Sequence, residues 1–168
     1  DDIIPGTPQD IQSSVFVTIK DPAGIPVAGA LITLGNLTGT TDETGTYFFT
    51  RAMLSGDDYL KVSKAGYFNG SRRFFTKGSP TQFLKITLLP REEVASYTSS
   101  HGASLYIDSK SRLIFPNNAV ARPDGSPYNG EVHVMAYPIY GDDPQLSDKM
   151  PGALIGEDES GSTVVLGS

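Results

Sequence analysis

The chain has 168 residues, no cysteine, two histidines and a formal net charge of −6. The missing cysteine excludes disulfides, thiolate metal sites and cysteine nucleophiles, and the acidic balance gives no electrostatic reason to bind nucleic acid or an anionic membrane. Charged residues are only 19% beside 18 glycines and 12 prolines, which excludes a charge-driven disordered chain. No apolar run approaches the roughly 18 residues that span a bilayer. The polar, proline-containing start Asp1-Asp2-Ile3-Ile4-Pro5 lacks Met. It leads to the expectation of a mature chain whose leader has been removed, or of an artificial boundary.

Short alternating runs between turn residues predict strands of about 4 to 9 residues. Residues 1–11 are expected to be disordered or extended. Ser13 to Lys20 puts Val15, Val17 and Ile19 on one face and Phe16 and Thr18 on the other. Asp21-Pro22-Ala23-Gly24 is a turn, because Pro presets φ and Gly accepts a positive one. Ala30 to Leu34 is the next strand, and Asp42-Glu43-Thr44-Gly45 the next turn. Strands follow at Thr46 to Thr50, Tyr59 to Lys64, Arg72 to Thr76 and Phe83 to Leu89. A sandwich over residues 12–90 is predicted, with Val15, Val17, Ile32, Leu34, Tyr47, Phe49, Leu60, Val62, Leu84 and Ile86 in its core.

Residues 91–98 are predicted to be a linker or one helical turn, since Pro90 precedes Arg91-Glu92-Glu93 and acids suit a helix start. Beyond it, Ala103 to Ile107, Arg112 to Phe115, Glu131 to Ile139 and Thr163 to Leu166 are strand-like. A second β domain over 99–168 is therefore predicted. It has fewer strands than the roughly seven of a sandwich, so it is small or cut short. The fold class is all-β, with two small β-sandwich domains in tandem. An unpaired edge at Thr163 to Leu166 would invite self-association.

Three blocks in the first half carry a family resemblance. They are Asp21-Pro22-Ala23-Gly24-Ile25-Pro26-Val27-Ala28-Gly29-Ala30, then Thr41-Asp42-Glu43-Thr44-Gly45-Thr46-Tyr47-Phe48-Phe49, then Tyr59-Leu60-Lys61-Val62-Ser63-Lys64-Ala65-Gly66-Tyr67. The stretch from Val15 to Tyr67 resembles the carboxypeptidase regulatory-like domain, a transthyretin-like β-sandwich common in envelope proteins of the Bacteroidetes. The resemblance implies a fold and an extracytoplasmic location, at the outer-membrane surface or in the periplasm, with a lipid anchor in the precursor as one form. It implies no catalysis. Gly102-Ala103-Ser104-Leu105, Leu113-Ile114-Phe115-Pro116-Asn117-Asn118-Ala119-Val120 and Gly130-Glu131-Val132-His133-Val134 resemble the β-sandwich domain of ankyrins and netrin receptors.

Candidate chemistry is sparse. Asp142, Asp143 and Asp148, or Glu157-Asp158-Glu159, are oxygen ligands that could serve Ca²⁺, although solvated loop charge explains them as well. The adjacent acids Asp57-Asp58 and Asp142-Asp143 would point to opposite faces in a strand, which disfavours a glycosidase pair. His101 and His133 lack a patterned third ligand for zinc. Phe68, Tyr137 and Tyr140 stand near loops or on the second face and are candidate ligand-binding aromatics, suited to sugars or to protein. No catalytic residue and no cofactor are expected. The expected role is a non-catalytic cell-envelope module for adhesion or structure, with a protein or glycan partner. The alternative is a carbohydrate-binding module of a glycan-uptake system.

Overall fold

The computed structural model describes residues 11–76, 80–152, 155–157 and 163–165. The segment expected to be disordered or extended lies, apart from Ile11, outside the described residues. Among those residues the chain is all-β save for one four-residue helix, in agreement with the predicted class of two small β domains. It divides into two compact units, Asp1–Leu89 with Ile139–Ser168, and Pro90–Pro138.

In the first unit seven strands form two sheets. The strands are β1 (Ile11–Lys20), β2 (Leu31–Leu34), β3 (Leu37–Thr40), β4 (Thr46–Leu54), β5 (Asp57–Ser63), β6 (Gly70–Phe75) and β7 (Thr81–Thr87). One sheet has the order β4-β1-β7 and the other β3-β2-β5-β6. All neighbours are antiparallel except β1 and β7, which run parallel.

Side chains alternate in β1, so Val15, Val17 and Ile19 enter the core while Phe16 and Thr18 stay outside. Facing them are Ile32, Leu34, Leu60 and Val62 from the second sheet, with Leu84, Ile86 and Leu88 completing one apolar cluster. Nine of the ten predicted core residues lie in that cluster; Tyr47 is partly buried and packs against it. In β4 the inward residues are Phe49, then Ala52 and Leu54. The odd step between 49 and 52 is a β-bulge opposite Ser13 to Val15, where Arg51 takes φ +53°. That bulge carries β4 four residues past its predicted end.

The turns hold by side chains the sequence shows. Asp42 accepts hydrogen bonds from the backbone N–H of Thr44 and Thr46 and from both hydroxyls. The Thr44 hydroxyl and the Thr46 amide, in that order, hold its carboxyl below the usual carboxylate value. Buried Thr41 accepts from the Ala30 amide at 2.8 Å and donates to the Val27 carbonyl at 2.7 Å, tying two loops across the sandwich end.

The rim between β6 and β7 is closed by the segment after Ile139. It contains α1 (Leu146–Lys149). Arg72 donates to the Lys85 carbonyl at 2.9 Å and pairs with Asp148 at 3.3 Å. The Gly152 amide donates to the Ser71 carbonyl at 3.0 Å. Both contacts satisfy backbone acceptors at the rim. Residues β12 (Ile155–Glu157) and β13 (Thr163–Val165) pair antiparallel with each other and group with the first unit. The strand expected over Thr163 to Leu166 thus has a local partner; Leu166, Asp158 and Glu159 lie outside the described residues.

The second unit contains β8 (Glu93–Thr98), β9 (Ala103–Tyr106), β10 (Arg112–Phe115) and β11 (Glu131–Met135). β11 pairs with β8 and β10 with β9, all antiparallel. The linker or helical turn expected over 91–98 is therefore corrected to a strand from Glu93. Its helix-like opening is overridden by pairing with β11, where Ser96 donates to Glu131 and Glu93 meets His133. The buried apolar side chains described here are Tyr97 and Val134, with Tyr97 stacked on Phe115 at 4.9 Å.

Candidate interaction surface

The outer face of the three-stranded sheet carries an aromatic row. Register pairs Phe16 with Phe48 across the antiparallel β1–β4 ladder, and the same Phe16 with Phe83 across the parallel β1–β7 ladder. Three phenylalanines therefore stand side by side, spanning two interstrand spacings, roughly 10 Å. Ring centroids are 6.3 Å apart for Phe16–Phe48 and 6.0 Å for Phe16–Phe83, with the planes tilted by 52° and 53°. Phe83 is 73% exposed and Phe48 47%, while Phe16 between them is half-buried.

Each ring is placed outward because its strand neighbours are core residues: Val15 and Val17, Phe49, and Leu84. One register step along, Thr18 lies between Thr46 and Lys85. The surface is thus an apolar strip with a polar border. Burying a fully exposed ring of this kind releases about 1.5–3 kcal/mol and a half-exposed one correspondingly less, and their mutual tilt gives the strip relief rather than a flat plane.

The three aromatics singled out in the sequence stand elsewhere. Phe68 is half-buried beyond β5, its amide donating to the Leu89 carbonyl at 2.9 Å. Tyr137 is half-buried in the second unit beyond β11. Tyr140, half-buried in the first unit, has its carbonyl accepting from the Asp143 amide at 3.1 Å. The signal for the row was present in the sequence, since Phe16 already falls opposite the valines. Its partners needed the register.

Two of the three Ca²⁺ candidates Asp142, Asp143 and Asp148 face cations. Lys149 donates to Asp143, holding that carboxyl below its usual value, and Asp148 faces Arg72. Asp142 is exposed. No group of three or more His, Asp or Glu among the described residues could hold a metal ion. Of the adjacent acids, Asp57 takes a bidentate pair from Arg73 at 2.6 and 2.7 Å. Asp58 accepts from the Ser55 and Gly56 amides. These carboxylates close turns and ladders.

His133 contacts Glu93 at 2.9 Å, and the hydrogen bond with that carboxylate, followed by its charge, raises the imidazole pKa above 6.5. A raised pKa means the pair stabilises the β8–β11 ladder fully below pH 6.5 and loses that contribution as pH rises through the folded value. An NMR titration is expected to place the His133 midpoint above 6.5 and to lower it in Glu93→Gln. A midpoint unchanged by that substitution would show that the pair does not form.

No protein-family model matches this chain, and no curated protein matches it. Among solved structures, the C-terminal domain of the Caf1A usher aligns at 15% identity with a TM-score of 0.32. The alignment covers 46% of this chain and 98% of that domain. That domain is described as bearing conserved hydrophobic clusters on its surface that are important for F1 antigen assembly. A likeness of that size supports no inference about this chain.

Proposed function

We propose that this chain is a non-catalytic interaction module of a bacterial cell envelope, serving adhesion or assembly, and that it meets a protein partner through the Phe48–Phe16–Phe83 row. The observation that carries this reading is a row of three adjacent aromatic rings, Phe48 and Phe83 exposed and Phe16 half-buried between them, on a sheet whose opposite face is core. Exposed apolar strips with polar borders mark contact surfaces. The tilted rings suit the uneven surface of a protein better than a flat sugar crystal face. The extracytoplasmic placement rests on the resemblance of Asp21 to Ala30, Thr41 to Phe49 and Tyr59 to Tyr67 to a regulatory-like envelope domain. Of the adjacent acids weighed for hydrolysis, Asp57, Asp58 and Asp143 are held in turns and ion pairs, which favours a binding role.

The test is binding of the labelled chain to cells of its own organism from which the gene has been deleted. The double variant Phe48→Ser/Phe83→Ser should lose about tenfold or more in affinity, with a melting midpoint lowered only by the loss of the two ring contacts to Phe16, since the core beneath is untouched. Binding should vanish after protease shaving of the cells. Undiminished binding by the double variant would reject the row as the contact. Binding that survives shaving would reject a protein partner.

A further inference from the structure

The opposite sheet has a different surface. On the outer face of β2, β5 and β6 lies a cleft of about 350 Å³. Its floor follows from side-chain size. Register sets Thr33, Lys61 and Ser71 in one row across the three strands, with Tyr59 and Ser63 on either side of Lys61 along β5. The short Thr33, Ser63 and Ser71 leave a depression walled by Tyr59 and by Asn69 from the chain entering β6.

Tyr59 is fixed in place. Its hydroxyl donates to the Ser71 Oγ at 2.7 Å, and the same oxygen accepts from the Gly152 amide at 2.9 Å. Tyr59 is 44% exposed and lines the cleft, so a preorganised aromatic side chain borders it. The Lys61 ammonium lies 5.9 Å from the ring centroid, at the outer limit of a cation–π contact. No ion pair engages Lys61 among the described residues. The other cation nearby, Arg73, is neutralised by the bidentate Asp57. In a chain of net charge −6, this cleft therefore holds one uncompensated positive charge.

We propose that the cleft binds a hexuronic acid residue of a glycan, with the pyranose ring on Tyr59 and its carboxylate on Lys61. An aromatic face takes the apolar side of a sugar ring. The hydroxyls of Thr33 and Ser63 and the amide of Asn69 supply both donors and acceptors for ring hydroxyls. A single ammonium matches a monovalent carboxylate in a charge-assisted hydrogen bond. A phosphate would call for a second cation or a backbone N–H nest, and neither is among the cleft's described groups.

The inference is independent of the phenylalanine row, and the experiment separates the two. The chain is titrated by NMR and calorimetry with a glucuronic acid tetrasaccharide and with its neutral glucose counterpart. The acid should shift the amides of Thr33, Lys61 and Asn69 and bind about tenfold more tightly than the neutral sugar. Lys61→Gln should equalise the two sugars. Tyr59→Ala should abolish binding of both, and Tyr59→Phe, which keeps the ring, should retain it. Phe48→Ser/Phe83→Ser should leave every one of these values unchanged. Absence of shifts at those three amides, equal affinity for acid and neutral sugar, or an unaltered preference in Lys61→Gln would each overturn the assignment.

Discussion

Leu60→Ala is expected to destabilise the first unit by about 2–5 kcal/mol, the cost of deleting a core leucine and leaving part of its volume empty. Leu60 is fully buried at the centre of the second sheet, paired with Leu34 on β2 and Arg72 on β6. The strand that carries it is held between β2 and β6 by a ladder on either side, so the backbone cannot collapse into the space. The cost stays near the upper part of the range where the surroundings relax least. Chemical denaturation of the whole chain reads it as a lower midpoint. Met53→Ala, at a position 58% exposed, is the control and should move stability by less than about 0.5 kcal/mol. A loss below about 1 kcal/mol in Leu60→Ala would mean that the two sheets are not closed on each other as described.

Gly45→Ala is expected to cost more than an ordinary left-handed glycine replacement. Gly45 has φ +71°, which by itself costs an L-residue about 1–2 kcal/mol. A Cβ there would also overlap the Ile19 carbonyl oxygen and stand 3.0 Å from the Val27 amide nitrogen. Those are backbone atoms and cannot rotate aside. The Gly45 carbonyl meanwhile accepts the Ile19 amide at 2.7 Å, so separating the segments breaks a hydrogen bond as well. Gly66, with φ +84° and open space around it, carries only the conformational cost. The difference between Gly45→Ala and Gly66→Ala should therefore exceed about 1 kcal/mol. Equal losses in thermal or chemical unfolding would show that the Asp42–Thr46 turn does not press on the end of β1.

What the sequence makes legible here is what repeats within a few residues. The alternation of Val15, Val17 and Ile19 against Phe16 and Thr18 assigns both faces of β1, and the core follows from the same pattern in β2, β5 and β7. The turn at Asp42 is equally local, since one carboxylate organises four nearby donors. β3 was missed because Leu37-Thr38-Gly39-Thr40 buries no side chain and so has no apolar period to detect. β8 was missed because Pro90 and two acids imitate a helix start, while its pairing partner lies far along the chain. The aromatic row required knowing that β7 lies parallel to β1 in one particular register. Phe68, Tyr137 and Tyr140 drew attention by their place beside loops, which says little about what stands next to them. The cleft needed the same non-local information, because Thr33, Lys61 and Ser71 come together only across two ladders.

The parallel pairing of β1 with β7 also orders events during synthesis. It joins the first strand of the unit to the last of its sandwich, a connection with no short loop to nucleate it. As the chain emerges, β1 can pair with β4, yet its other edge must wait until residue 87 is available. Until then Val15, Val17 and Ile19 belong to a two-stranded ribbon, which is marginal in water. The row of phenylalanines is incomplete over the same interval, since Phe83 arrives with the closing strand. The phenylalanine row is thus complete only once β7 has docked on β1, and a chain still lacking β7 presents an unpaired edge in its place.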